Sequence, residues 1–176
     1  MNEIKSLTGL INSLKHSNAE DYVKLAKNMI IPLSDFDKYL LWKKDGYSRN
    51  CIIRTEAFEL ILFCWNKDDF TPIHRHDNQK CWIYQVNGEM VEIRYEQNAE
   101  RELIESNKQL LTPGSLTYMH DNMGCHMLKN LSEEKAITLH LYIKPLQSCE
   151  VFNDSTNCFE KLTLGFDTID GEIVNN

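Results

Sequence analysis

The stretch Trp82-Ile83-Tyr84-Gln85-Val86-Asn87-Gly88-Glu89-Met90-Val91-Glu92-Ile93 reads as two β runs around a tight turn. Asn and Gly both tolerate positive φ, so Asn87-Gly88 predicts a β-hairpin joining 82–86 to 90–93. Outward from it, short runs of β-branched and aromatic residues cover 50–55, 59–65, 80–86, 90–95, 115–119, 126–130, 136–143 and 161–166. Turn residues separate them at Asn66-Lys67-Asp68-Asp69, Pro113-Gly114, Asp121-Asn122 and Asn153-Asp154. In the run 136–143, Ile137, Leu139, Leu141 and Ile143 alternate with Thr138, His140 and Tyr142, placing the two sets on opposite faces of a strand.

Before the turn signal Asp45-Gly46 the period is helical. Ile4, Leu7, Leu10, Ile11 and Leu14 make one apolar stripe. Asn18 is expected to cap a second helix carrying Tyr22, Val23, Leu25, Ala26 and Met29, closed by Pro32, and Ser34 a short third one reaching Trp42. The chain shows no internal repeat, low-complexity segment or linker. The expectation is one all-β domain over 1–176, with an N-terminal helical cap (1–45) and a jelly roll or small closed barrel (46–176).

Charge and length restrict the function. Lys and Arg number 19 against 26 Asp and Glu, a net charge of −7, which is a poor match to a phosphate backbone and excludes nucleic acid as the main partner. No basic amphipathic face favours a membrane surface, and the longest apolar cluster, Leu60-Ile61-Leu62-Phe63-Cys64-Trp65, is too short to span one. The sequence Met-Asn-Glu-Ile-Lys at the start carries no secretory pattern, so a cytoplasmic monomer is expected. The six cysteines at 51, 64, 81, 125, 149 and 158 have no metal-knuckle spacing and are expected to be reduced, buried thiols.

Histidine carries the chemistry. His16 falls near the end of the first helix and His120 in a turn, positions that need no ligand role. His74 and His76 lie two apart at the start of a β region, so an extended backbone points both imidazoles to one face. With Cys81, Gly88 and the later His126-Met-Leu-Lys-Asn130, the spacing resembles the two motifs of the cupins. In those, an H-x-H and a carboxylate from one motif meet a histidine from the other on a barrel interior. Cys81 stands where cupins usually place a ligating glutamate, so this chain would offer three neutral imidazoles and no anionic ligand. Such a set leaves open metal positions for chemistry and does not by itself choose between iron and zinc.

The segments Tyr47-Ser48-Arg49-Asn50, Leu62-Phe63-Cys64-Trp65, Ile73-His74-Arg75-His76, Gly124-Cys125-His126 and Thr138-Leu139-His140-Leu141-Tyr142, in this order, resemble the cysteine dioxygenases over residues 34–166. That resemblance implies a cupin binding non-haem Fe(II) and oxidising the thiol of L-cysteine with O2 to the sulfinic acid. It implies His74, His76 and His126 as iron ligands, Arg49 as the residue holding the substrate carboxylate, and Tyr47 as a wall of the same pocket. It also implies Tyr142 beside the metal with His140 as its hydrogen-bonding neighbour, and Thr138 where the family often has serine. Cys81 matches the cysteine that forms a thioether with the tyrosine, here Tyr142, in animal-type members. Relatives that prefer 3-mercaptopropionate often carry glutamine where Arg49 stands, so that thiol is the alternative substrate; a non-catalytic metal-binding or sensing cupin is the alternative from another class.

Overall fold

The computed structural model describes residues 3–18 and 21–174. The chain opens with α1 (Leu7–Lys15) and α2 (Tyr22–Lys27), followed by a 3₁₀ helix, Leu33–Tyr39. Ser6 caps α1 by accepting from the Gly9 N–H, and His16 is the C-cap. The second helix starts later than Asn18 implies: Asp21 is its N-cap and makes no side-chain capping bond. The third is entered from Pro32 rather than capped by Ser34. Ile4 lies outside the helix and bridges to Met29.

Among the described residues thirteen strands follow: β1 (Ser48–Arg54), β2 (Phe58–Trp65), β3 (His74–Arg75), β4 (Lys80–Asn87), β5 (Met90–Gln97), β6 (Leu103–Leu111) and β7 (Leu116–Met119), then β8 (Cys125–Lys129), β9 (Ala136–Ile143), β10 (Ser148–Asn153), β11 (Cys158–Thr163), β12 (Thr168–Ile169) and β13 (Glu172–Ile173). They form a seven-stranded sheet, β13-β12-β1-β2-β9-β4-β7, and a six-stranded sheet, β11-β10-β3-β8-β5-β6. The jelly roll of the cupins is what the chain builds, as two packed sheets rather than a hydrogen-bonded closed barrel. Among the described residues no helix is long and apolar enough to cross a membrane.

The expected Asn87-Gly88 hairpin does not form. β4 and β5 lie in different sheets, because both edges of β4 are taken by β9 and β7. Only Gly88 adopts positive φ (70°), whereas the two-residue hairpin turn needs it at both positions. Gly88 is a corner between sheets: a Cβ there would sit 2.5 Å from the Lys135 carbonyl oxygen and 2.8 Å from the Ala136 Cα. Gly88→Ala is therefore expected to lower stability by about 1–3 kcal/mol, read as a reduced denaturant midpoint with an unchanged m-value.

Two cores explain why β2 is buried along its whole length. Leu60, Leu62 and Cys64 face outward and pack with Leu7, Leu10, Leu14, Leu25 and Phe36 of the helical cap. Ile61, Phe63 and Trp65 face inward and pack with Ile83, Met90 and Leu128 between the sheets. A strand covered on both faces must be continuously apolar, which is the pattern Leu60–Trp65 shows. In β9, Ile137, Leu139 and Leu141 join the cap side, leaving Thr138, His140 and Tyr142 for the interior. All six cysteines are free, and five are buried as expected; Cys158, at the start of β11, is exposed.

Candidate metal centre and its pocket

His74 and His126 are direct cross-strand partners, on β3 and β8 of the six-stranded sheet. His76 follows immediately after β3, where the chain bends into a turn, so the two-residue spacing aims both rings inward even though the strand itself ends at Arg75. One donor atom from each of the three histidines lies within 4.8 Å of the others. The ring centroids form a triangle with sides of 4.6, 5.0 and 5.0 Å.

Hydrogen bonds behind two rings set their tautomers. His74 Nδ1 donates to the Pro72 carbonyl oxygen at 2.9 Å, and His126 Nδ1 donates to Glu92 Oε1 at 2.7 Å. Both therefore turn an Nε2 lone pair inward. His76 Nε2 lies 3.3 Å from His126 Nε2. Burial, reinforced by the neighbouring histidines, brings His74 down to about 3 and holds His76 well below its ordinary value, so neither carries a proton charge near pH 7. Neutral imidazoles with converging lone pairs repel one another unless a cation sits between them. This donor set fits a divalent metal ion.

Glu92 is the site residue that sequence reasoning missed. Burial opposes its charge, but the hydrogen bonds from His126 and the Thr117 hydroxyl and the Arg94 guanidinium outweigh this and bring the carboxyl down to about 2. Its Oε2 accepts from Thr117 Oγ1 at 2.7 Å, from Arg94 at 3.2 Å and from Gln109. Period-two reading of Val91, Ile93 and Tyr95 as the apolar face would send Glu92 to solvent, yet Glu92 is fully buried. The three-imidazole centre thus has an anion one hydrogen bond away, behind His126.

Arg49 and Tyr47 line one cavity with all three histidines, His140, Tyr142 and Cys149; it encloses about 470 Å³, its open mouth included. Arg49 is held at its base: Nε donates to the Gly165 carbonyl oxygen at 3.0 Å, and its backbone exchanges bonds with Asp167. The guanidinium carbon stands 5.1 Å from the centroid of Phe63. Arg49 is half-buried, and its Nη2 is buried without a partner among the described residues. A buried guanidinium N–H with no acceptor calls for an anion. Tyr47 stacks on Phe63 and lies 4.7 Å from Trp65, centroid to centroid.

Opposite, a hydrogen-bonded row runs along β9. Trp65 Nε1 donates to Thr138 Oγ1 at 2.9 Å, Thr138 Oγ1 lies 2.8 Å from His140 Nε2, and His140 Nδ1 lies 3.4 Å from Tyr142 Oη. An indole can only donate, so the threonine hydroxyl accepts there and has its own hydrogen to give to His140 Nε2. His140 thus bridges the Thr138 and Tyr142 hydroxyls through its two ring nitrogens. Burial, followed by the Arg49 charge, holds His140 well below its usual value, so the ring is neutral. The extra methyl of Thr138 relative to serine does not break the row. Cys81 is the direct cross-strand partner of Tyr142, on β4. Burial raises both groups.

The model of the family described as cysteine dioxygenase type I matches residues 3–155. Cysteine dioxygenase type 1 of Homo sapiens is 28% identical over 135 residues, covering 74% of this chain and 64% of its own length. The namesake of Danio rerio is 26% identical over 168 residues, covering 93% of this chain and 76% of its own length. The match therefore spans less than two thirds of the human relative. Among solved structures, TT1209 from Thermus thermophilus superposes with a TM-score of 0.52 at 18% identity, over 62% of this chain and 94% of its own, a likeness of fold. With the match running through the helical cap and the whole three-histidine centre, the chain belongs to the cysteine dioxygenase type I family.

Proposed function

We propose that the protein is a non-haem iron dioxygenase that converts L-cysteine and O2 to cysteine sulfinic acid. The observation that carries this reading is the unpartnered, buried Arg49 Nη2, facing the same cavity as the three converging histidines. A small substrate with a carboxylate at one end would place its other end at the metal. His74, His76 and His126 would hold Fe(II), which supplies the redox chemistry between thiol and dioxygen when bound. Arg49 fits the carboxylate because a guanidinium offers a rigid fork and stays charged at every relevant pH. Tyr47 and Phe63, backed by Trp65, exclude water from the carboxylate end. Tyr142, with its hydroxyl held by His140, supplies a hydroxyl on the cavity wall toward the metal. Six free thiols support a reducing compartment, the cytoplasm. The direct test is oxygen uptake and sulfinate formation by the Fe(II)-loaded protein with cysteine, 3-mercaptopropionate and cysteamine. Cysteine is expected to be the best substrate, with one O2 consumed per sulfinate and no added reductant; preferred turnover of 3-mercaptopropionate would move the assignment to that thiol.

The cross-strand pairing of Cys81 with Tyr142 supports a thioether between them. Its formation removes one hydrogen from the thiol and one from the phenol ring, as two protons and two electrons, with dioxygen as the oxidant. Intact mass should fall by about two hydrogens in the linked form, which is the arithmetic of forming one S–C bond. Cys81→Ser should leave a single, heavier-type species that keeps measurable activity, since the metal-binding imidazoles are untouched. A wild-type thiol that remains fully alkylatable after prolonged turnover would reject the link.

A further inference from the structure

The three histidines are not held in the same way. His74 and His126 are each fixed through their own rings, by Pro72 and Glu92, whereas His76 Nδ1 is buried with no hydrogen-bond partner. The alignment of His76 therefore rests on its backbone and on the packing of its ring against His126 and Tyr142. That backbone leads into Asp77 and Asn78, two consecutive non-glycine residues at φ of 51° and 60°. Left-handed geometry at such residues persists only where surrounding contacts enforce it. The Gln79 N–H on the His76 carbonyl oxygen and the Ser148 and Lys161 contacts of the Asp77 carboxylate contribute, and one further side chain holds two backbone N–H groups at once. Asp121 Oδ1 accepts from the His76 N–H and Asp121 Oδ2 from the Asn78 N–H, both at 2.7 Å. Asp121 itself opens the 3₁₀ turn Asp121–Met123, which His120 caps and which leads through Gly124 into β8 and His126.

From this arrangement we infer that Asp121 is a positioning residue that clamps the His76 segment to the segment bearing His126. Neither segment is joined to the other by a strand ladder at His76, since β3 ends at Arg75. The carboxylate takes over where the ladder stops. It closes the metal centre from outside without touching the ion. Asparagine cannot replace it, because an amide presents one acceptor oxygen and one donor NH₂ to two backbone donors. The inference rests on the three-histidine reading of the centre, and its test separates the two.

The full-length apoprotein is titrated with Co(II), followed by its visible absorption, as wild type, Asp121→Asn, His76→Ala, His126→Ala and the double variant Asp121→Asn/His76→Ala. Asp121→Asn is expected to weaken Co(II) binding by about 10- to 100-fold, the scale for losing a group that orients a ligand. In the His76→Ala background the same change should weaken binding no further, because a residue that acts through His76 has nothing left to position. Glu133→Gln, a charge removed from an exposed surface pair with Lys67, serves as the control and should bind as wild type. Equal losses from Asp121→Asn in both backgrounds would reduce Asp121 to general support of the fold and overturn the inference. Binding by Asp121→Asn within twofold of wild type would also overturn it. Wild-type affinity in His126→Ala would instead remove the three-histidine centre, and the inference with it.

Discussion

His126→Ala is expected to lose metal binding by more than 100-fold and to show no turnover, a loss larger than that for orienting groups behind a ligand. His74 and His76 both stem from one short segment, and His126 closes the triangle of imidazoles from the neighbouring strand β8. Two imidazoles from one side cannot enclose the ion. Among the described residues, the substitution also removes the only hydrogen-bond partner of Glu92 Oε1, while Oε2 keeps Thr117, Gln109 and Arg94. The apoprotein should therefore lose only about 1–3 kcal/mol, the cost of one unsatisfied buried acceptor, and should still fold. Metal content after loading, measured beside a denaturant curve, separates the two effects. Full iron occupancy in a folded variant would dismantle the centre.

How much of this was legible in the sequence depends on how local each feature is. The H-x-H at His74 and His76 is local: its spacing alone aims two rings together, and they converge although β3 is only two residues long. The alternation of β9 was legible for the same reason, and it placed Thr138, His140 and Tyr142 on the inner face. Asn87-Gly88 shows where local reading stops. Its turn chemistry is real at Gly88, but pairing is decided by which edges remain free, and β9 and β7 had already taken those of β4. Glu92 and Asp121 were invisible for a related reason. Each works on residues distant in sequence, Glu92 on His126 and Asp121 on His76 and Asn78. Nothing at either position distinguishes such an acid from a solvated one until the sheets meet. The strands β6 and β10 lack a strong apolar alternation because β6 is largely exposed and β10 mixes Ser, Cys and Glu with Val and Phe.

Arg49→Ala is expected to reduce kcat/KM for cysteine by about 100-fold or more. A charge-assisted contact to a carboxylate typically contributes a few kcal/mol, and each ~1.4 kcal/mol is tenfold in rate. The loss should be selective. Cysteine and 3-mercaptopropionate share a carboxylate that the guanidinium would hold, whereas cysteamine has none, so any slow reaction with cysteamine should change far less. Arg49 also has structural contacts, to Gly165 through Nε and to the faces of Phe63 and Phe166. Those contacts predict a different pattern. If they dominated, the β1 end of the pocket would loosen and all three thiols would suffer equally. The ratio of the losses, rather than the size of any one, is therefore the informative quantity. Losses confined to the two carboxylates would assign the free Nη2 to substrate, and equal losses would assign Arg49 to the wall. Unchanged cysteine kinetics would leave the buried Nη2 without an acceptor and remove Arg49 from substrate binding.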